Sequence, residues 1–373
     1  MPNLITLAVP FFFLLVAIEA LIGRRLGRRL YRFPDAITDI GCGVASEVVK
    51  VFIHVALVAV YMAVYRYRLF ELSPRSPWTW AIAIVGLDLC YYWWHRVSHE
   101  VNFLWAAHVV HHTSEDYNLA VALRQAIMTH FTSTPFYLPL ALLGVPPAVY
   151  LASYAINLAY QFWIHTELIR KLARPVELVM NTPSHHRVHH GTNPQYLDRN
   201  YAGIFVIWDR LFGSFEPEGE TPVYGTVKPL ASYDALTVQF HYWGEMWRMA
   251  KSATDWRDKL RVIWKGPAWR PANIPVPKDP SGAELQGRPK YESQSSRGEL
   301  IYAGVQFILA LVLTLFLMLE QDRWPMGRLA VGAGLVGLTL VVAGGLFERR
   351  PWARGLEVVR LIGIAGAAVV LFS

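Results

Sequence analysis

The chain has 373 residues, 54% hydrophobic and 17% charged, with a formal net charge of +7, 13 histidines and two cysteines. Soluble domains carry about 25% charged residues, so this balance is shifted toward lipid and excludes disorder and fibrous repeats. Two cysteines exclude a disulfide framework, and the positive charge would mark a nucleic-acid partner only if it clustered on one face.

A helix that spans a bilayer needs roughly 20 mainly apolar residues. Residues 4–22 meet that requirement and end in Arg24, Arg25, Arg28, Arg29 and Arg32. A cleaved signal peptide carries its charge before the apolar core, so this order predicts a retained anchor with the arginines facing the cytoplasm. Residues 51–65 predict the apolar part of a second helix that begins near Asp35, and residues 78–94 a third that crosses back inward. Residues 135–143 and 147–164 predict a hairpin that reverses at Pro146-Pro147. A polar region from Thr166 to about Gly298 follows, and apolar stretches at 300–319, 329–347 and 356–372 close the chain. The basic connection 348–354 falls inside on this count, whereas Arg66, Arg68 and Arg75 fall outside, against the charge rule.

The expectation is an all-α, polytopic integral membrane bundle of about seven or eight spans with a histidine-rich di-metal cap on the cytoplasmic side. Four units are expected: N-terminal membrane helices over 1–70, a catalytic unit over 71–230, a cytoplasmic polar connector over 231–299 and C-terminal membrane helices over 300–373. The basic residues flank membrane segments, so the nucleic-acid reading falls. Gly332-Ala-Gly334-Leu-Val-Gly337 fits the dinucleotide pattern but lies inside an apolar run with no preceding strand, which predicts close helix packing instead.

Eleven of the 13 histidines lie between His95 and His190. His95 and His99 are four apart, one turn on one helix face. His108, His111 and His112 form an H-x-x-H-H pattern, and so do His186, His189 and His190, preceded by His185. His165 stands alone, whereas His54 and His130 read as isolated interfacial histidines. Buried imidazoles in such number are costly unless they share a partner, and neutral imidazole is the commonest metal ligand. Nine or ten ligands exceed one tetrahedral zinc and suit two metals with open positions. The residue types alone leave iron and zinc both open.

The order H-x3-H, eight residues, H-x-x-H-H, a lone His and H-x-x-H-H resembles the fatty acid hydroxylase/sterol desaturase superfamily of membrane di-iron oxygenases. Asn181-Thr-Pro-Ser-His-His-Arg-Val-His-His-Gly191 and the stretch 193–215 resemble its alkylglycerol monooxygenase branch. The likeness covers residues 81–218 and does not extend to the last 75. It implies iron ligands at His95, His99, His108, His111, His112, His165, His186, His189 and His190, with His185 a ligand, a supporting group or a bystander.

The resemblance further implies insertion of oxygen into a lipid C–H bond, or its desaturation, with O2, two iron ions and two electrons. The branch implies an ether-linked alkyl chain. No flavin, nicotinamide or haem motif is visible, so the reductant is external: a tetrahydropterin, a cytochrome b5-like protein or a ferredoxin. Other readings are a desaturase or hydroxylase of a sterol, carotenoid or aminolipid, and a divalent-metal transporter, which would need a polar path through the spans. Metal-bound imidazoles usually pass their second N–H to an acceptor, for which Asp88, seven residues before His95, is the leading candidate. Glu100, Glu115, Asp116 and Asp198 are weaker candidates that also suit a solvated surface, and Gln161 and Asn157 could orient His165.

Overall fold

The computed structural model describes residues 4–276 and 280–372, with the side chains of 4–7 and 367–372 left undescribed. Residues 1–3 of the expected N-terminal unit and 277–279 of the expected connector lie outside the described residues. All regular structure among the described residues is helical: α1 (Leu4–Arg25), α2 (Phe33–Tyr65), α3 (Pro77–Glu100), α4 (Asn102–His112), α5 (Thr129–Leu143), α6 (Pro147–Trp163), α7 (Arg174–Val179), α8 (Pro183–His189), α9 (Ile207–Leu211), α10 (Ala235–Ser252), α11 (Trp256–Trp264), α12 (Gly282–Gln286), α13 (Arg297–Glu320), α14 (Met326–Phe347) and α15 (Ala353–Phe372). A short 3₁₀ turn, Val121–Leu123, precedes α5.

Three helices among the described residues are long and apolar enough to cross a bilayer: α2, α13 and α14. α5 and α6 have 15 and 17 residues, short of the roughly 20 that a span needs. α3 has 24 residues but carries Asp88 at its middle and Arg96, Glu100 and two histidines beyond it. The expected start of the second helix near Asp35 is met, because Pro34 pre-sets its first turn and one helix runs 33 residues from there. The reversal at Pro146-Pro147 is also present: Gly144 caps α5 and Pro147 opens α6.

Two packing groups position the centre. α3 lies against α4, α5 and α6, with Leu87, Tyr91, Trp94, Tyr137 and Leu140 in their shared core. The C-terminal helices α13, α14 and α15 pack in sequence, and α2 joins both groups by lying on α13, α14 and α5. Gly332 of the rejected dinucleotide pattern lies in α14, where an added Cβ would stand 2.7 Å from Leu317 of α13. Close helix packing is therefore the role that glycine fills.

A buried polar lock joins the three C-terminal helices. Arg360 of α15 donates to Glu357 at 2.6 Å, to Gln306 of α13 at 2.7 Å and to Thr339 of α14 at 3.1 Å. Neither Arg360 nor Glu357 is among the residues that the motifs single out. The two sit three apart, so their helix can present both to its neighbours.

Candidate metal centre

The histidines converge because the helix ends do. α3 brings His95 and His99, α4 brings His108, His111 and His112, and α8 with its C-cap brings His186, His189 and His190. His165 follows the C-cap of α6. Their ring nitrogens fall into two buried groups, each with its ligand atoms within 4.8 Å of one another: His95, His99, His108, His112 and His189, and His111, His165, His186 and His190. The two groups contain the eight clustered histidines other than His185, together with the lone His165 that the resemblance adds.

Four of the rings are oriented by main-chain carbonyls. The Nδ1–H of His95 donates to Tyr201 O at 2.8 Å, that of His111 to Arg124 O at 3.1 Å, that of His165 to Gln161 O at 2.7 Å and that of His189 to Arg199 O at 2.9 Å. A carbonyl oxygen only accepts, so each of these rings has its proton on Nδ1 and a bare lone pair on Nε2. His111 Nε2 and His165 Nε2 then face each other at 3.2 Å with no proton between them. Two lone pairs at that distance repel, and a shared cation removes the conflict.

The remaining geometry fits a cation in each group. His165 Nε2 lies 3.0 Å from His186 Nε2, and in the five-membered group His95 and His108 approach at 3.0 Å and His112 and His189 at 3.2 Å. Two imidazoles bound at about 2.0–2.1 Å to one ion at right angles would hold their nitrogens about 3 Å apart. His99 Nε2, His186 Nδ1 and His190 Nε2 are buried with no hydrogen-bond partner among the described residues. Burial, reinforced by neighbouring imidazoles, holds His108, His112, His186 and His190 far below the ordinary histidine range, and burial holds His111 down at about 4. Neutral rings are the form that ligates.

Asp88 is fully buried and touches no imidazole. Its carboxylate accepts from Ile204 N–H at 2.7 Å, Phe205 N–H and Trp208 Nε1–H at 2.9 Å, and Asn157 Nδ2–H at 2.8 Å. The first three tie down the segment whose Tyr201 carbonyl orients His95. The fourth leads through Gln161, which donates to Asn157 Oδ1 at 2.5 Å, to the residue whose carbonyl orients His165. Gly203 permits the close approach, since a Cβ there would stand 2.6 Å from Asp88 Oδ1. Asp209 holds the same segment by accepting from Tyr201 and Ala202 N–H, although burial pushes its own carboxyl up to about 6.

Glu100 pairs with Arg96 at 2.9 Å at a half-exposed position and meets no histidine. Asp198 stands 3.6 Å from His99 Nδ1, whereas Glu115 and Asp116 hold Arg32, with Asp116 also on Lys290. His185 falls outside both groups: its Nε2 lies 3.0 Å from Glu177, whose carboxylate also accepts from Thr182 and Ser184 at the start of α8. Among the isolated histidines, His54 Nδ1 donates to Val51 O and His130 contacts Ser46.

Arg124 is a residue that motif reading did not find. It is fully buried, clasps the end of α4 through Val110 O and Thr113, pairs with Asp39 at 2.7 Å and offers the carbonyl that orients His111. A charged side chain 12 residues past His112 in an otherwise apolar stretch was the available signal.

An apolar cavity of about 610 Å³ opens against the histidines, bordered by His108, His111 and His165. Its walls include Phe12 of α1, Val44 of α2, Tyr137 of α5 and Leu315 of α13. A void of this size is in the range of small-molecule sites and has the apolar lining of one built for a hydrocarbon chain.

The fatty acid hydroxylase family model matches residues 80–214, the span that carries every residue of both groups. Alkylglycerol monooxygenase of Homo sapiens is 41% identical over 97% of this chain and 81% of its own length. The alkylglycerol monooxygenase of Caenorhabditis elegans is 31% identical over 90% of this chain and 70% of its own length. An ornithine lipid hydroxylase of Rhizobium tropici is 33% identical over 36% of this chain and 40% of its own length. No solved structure matches. The likeness to the first two runs past the histidine region into the C-terminal helices, where the motif comparison had ended. This chain belongs to the fatty acid hydroxylase family, in its alkylglycerol monooxygenase branch, and is an oxygen-dependent oxidoreductase of the membrane.

Proposed function

We propose that the protein is a di-iron monooxygenase that hydroxylates an ether-linked alkyl lipid at the carbon next to the ether oxygen. The carrying observation is the confrontation of His111 Nε2 and His165 Nε2 at the mouth of the apolar cavity. A cation held there would resolve it, and a chain lying in the cavity would meet the two rings that hold it. The alkylglycerol monooxygenase relatives support the ether-linked class of substrate. His95, His99, His108, His112 and His189 hold one iron and His111, His165, His186 and His190 the other, with His185 outside both.

When bound, the irons supply the activation of O2 that no side chain can provide. In the overall reaction the C–H bond becomes C–OH with one atom of O2, and the second atom leaves as water with two protons and two electrons from the donor. A hydroxyl on the carbon of an ether is a hemiacetal, which breaks to an aldehyde and the freed alcohol. The protein's own residues do the rest. Trp94, Tyr91 and Phe162 wall the cavity and exclude water, while Arg124, Gln161 and Tyr201 carbonyls fix the rings.

The same reading takes the chain across the bilayer seven or eight times, with the centre at the cytoplasmic ends of the helices. The four-unit division at 70, 230 and 299 accompanies it. The donor is external: a tetrahydropterin, a cytochrome b5-like protein or a ferredoxin. The test is purified protein in lipid nanodiscs, given an alkylglycerol, each donor in turn and labelled O2. Expected are about two irons per chain and a labelled fatty aldehyde with one of the donors. One tightly held zinc, with no oxygen consumed under any donor, would overturn the reading.

A further inference from the structure

The polar region is not uniformly polar at its surface. On α11, Trp256, Leu260 and Trp264 recur every four residues and are 65%, 53% and 70% exposed. That spacing places them along one helix face, with Val262 and Asp258 buried on the other. α10 packs on α11 and adds Leu236, Phe240 and the 72% exposed Trp247. Three exposed indoles on two helices packed together signal an interaction face.

Its charge is one-sided. Arg248, Lys251, Arg257, Lys259 and Lys265 are exposed along the two helices. The acids nearby are engaged: Asp258 pairs with Arg261, Glu245 with Lys228, and Asp255 caps α11. The location is fixed by two hydrogen bonds, from Asn102 N to Lys265 O at 2.9 Å and from Asn102 Nδ2 to Val262 O at 2.7 Å. Asn102 immediately follows the end of α3, so α11 is tied to the level at which that helix leaves the apolar layer. Phe103, half exposed, packs edge-on against Trp243 of α10 and extends the same surface.

From these positions we infer that α10 and α11 lie in the headgroup layer of the bilayer as an interfacial pair that prefers anionic lipid. The inference rests on the reading that α3 and α13 cross that bilayer. Tryptophan favours the headgroup level, where its ring is half solvated, and cations on an amphipathic helix add attraction to acidic lipid. The segment expected as a cytoplasmic connector thereby becomes a membrane-lying element that borders the histidine helix α4.

The test places an environment-sensitive dye at Leu260→Cys, in a Cys90→Ala background, in full-length protein in nanodiscs of phosphatidylcholine with or without phosphatidylglycerol. Expected is quenching by a headgroup-level nitroxide lipid at least about threefold stronger than by aqueous iodide, as for a ring-rich helix seated in the interface. Arg257→Glu with Lys259→Glu should reduce the nitroxide quenching in the phosphatidylglycerol discs and leave it unchanged in phosphatidylcholine alone. Stronger quenching by iodide, or weak quenching by both because a second copy or another protein covers the face, would overturn the inference. A control dye at Leu309→Cys on α13 should answer to a deep-chain nitroxide. Failure there defeats the reading of the spans, whereas failure at 260 alone defeats this proposal.

Discussion

The two imidazole groups share α4 and α8, with α3 completing one and the end of α6 the other, and they differ in what they face. The five-membered group closes over its own centre, and only His108 reaches the cavity wall. The four-membered group presents both His111 and His165 to the cavity, and these rings have their protons locked away from each other. If each group held an octahedral ion, five imidazoles would leave it one position and four would leave it two. On the proposed reading the substrate end would then belong to the smaller group, with the larger one in support.

The contrast gives a ranked set of expectations. His165→Ala should lower turnover by more than about a hundredfold, more than typical losses of about 10–100-fold for outer-shell partners, and remove about one iron per chain by elemental analysis. Full activity in this variant would end the assignment of the smaller group. Asp88→Asn should cost about 10–100-fold and reduce iron in both groups, because one carboxylate braces the segments that orient His95 and His165. Loss confined to one group, seen by Mössbauer spectroscopy of the loaded protein, would show that the two are braced separately. His99→Ala should cost about tenfold with iron retained, since four imidazoles remain in its group. A loss equal to that of His165→Ala would erase the distinction between the groups. His54→Ala should leave turnover and iron unchanged, because its ring serves only its own helix and Asp322.

Much of this was legible in the chain. The H-x-x-H-H spacing needs only helical geometry to place six of the histidines on two turns and the H-x3-H spacing adds His95 and His99, whereas the lone His165 enters through the family resemblance. What spacing could not divide was the two groups: His111 and His112 are adjacent, yet they serve different centres because successive helical residues point about 100° apart. Glu100 was a weaker candidate than Asp88, and the structure pairs it with Arg96 one turn away at a half-exposed position. Asp88 could be flagged as a costly charge, whereas its partners at 204, 205 and 208 are distant in sequence and two are main-chain groups with no residue signature. The same holds for His185, whose partner Glu177 lies outside every motif. α11 escaped notice because a nine-residue helix is too short for a hydropathy window and reads as polar on average.

Four ligand rings are held by carbonyl oxygens of Tyr201, Arg124, Gln161 and Arg199. A carbonyl is supplied by every amino acid, so no substitution at those four positions deletes the acceptor itself. The aim of each ring is therefore encoded in the path of the chain rather than in the identity of a neighbour. Side chains that wall the cavity can drift toward a new lipid while the ligand geometry is inherited intact. The aim of the rings is in that sense separate from most of the cavity wall, which the centre meets only through His108, His111, His165 and Gln161.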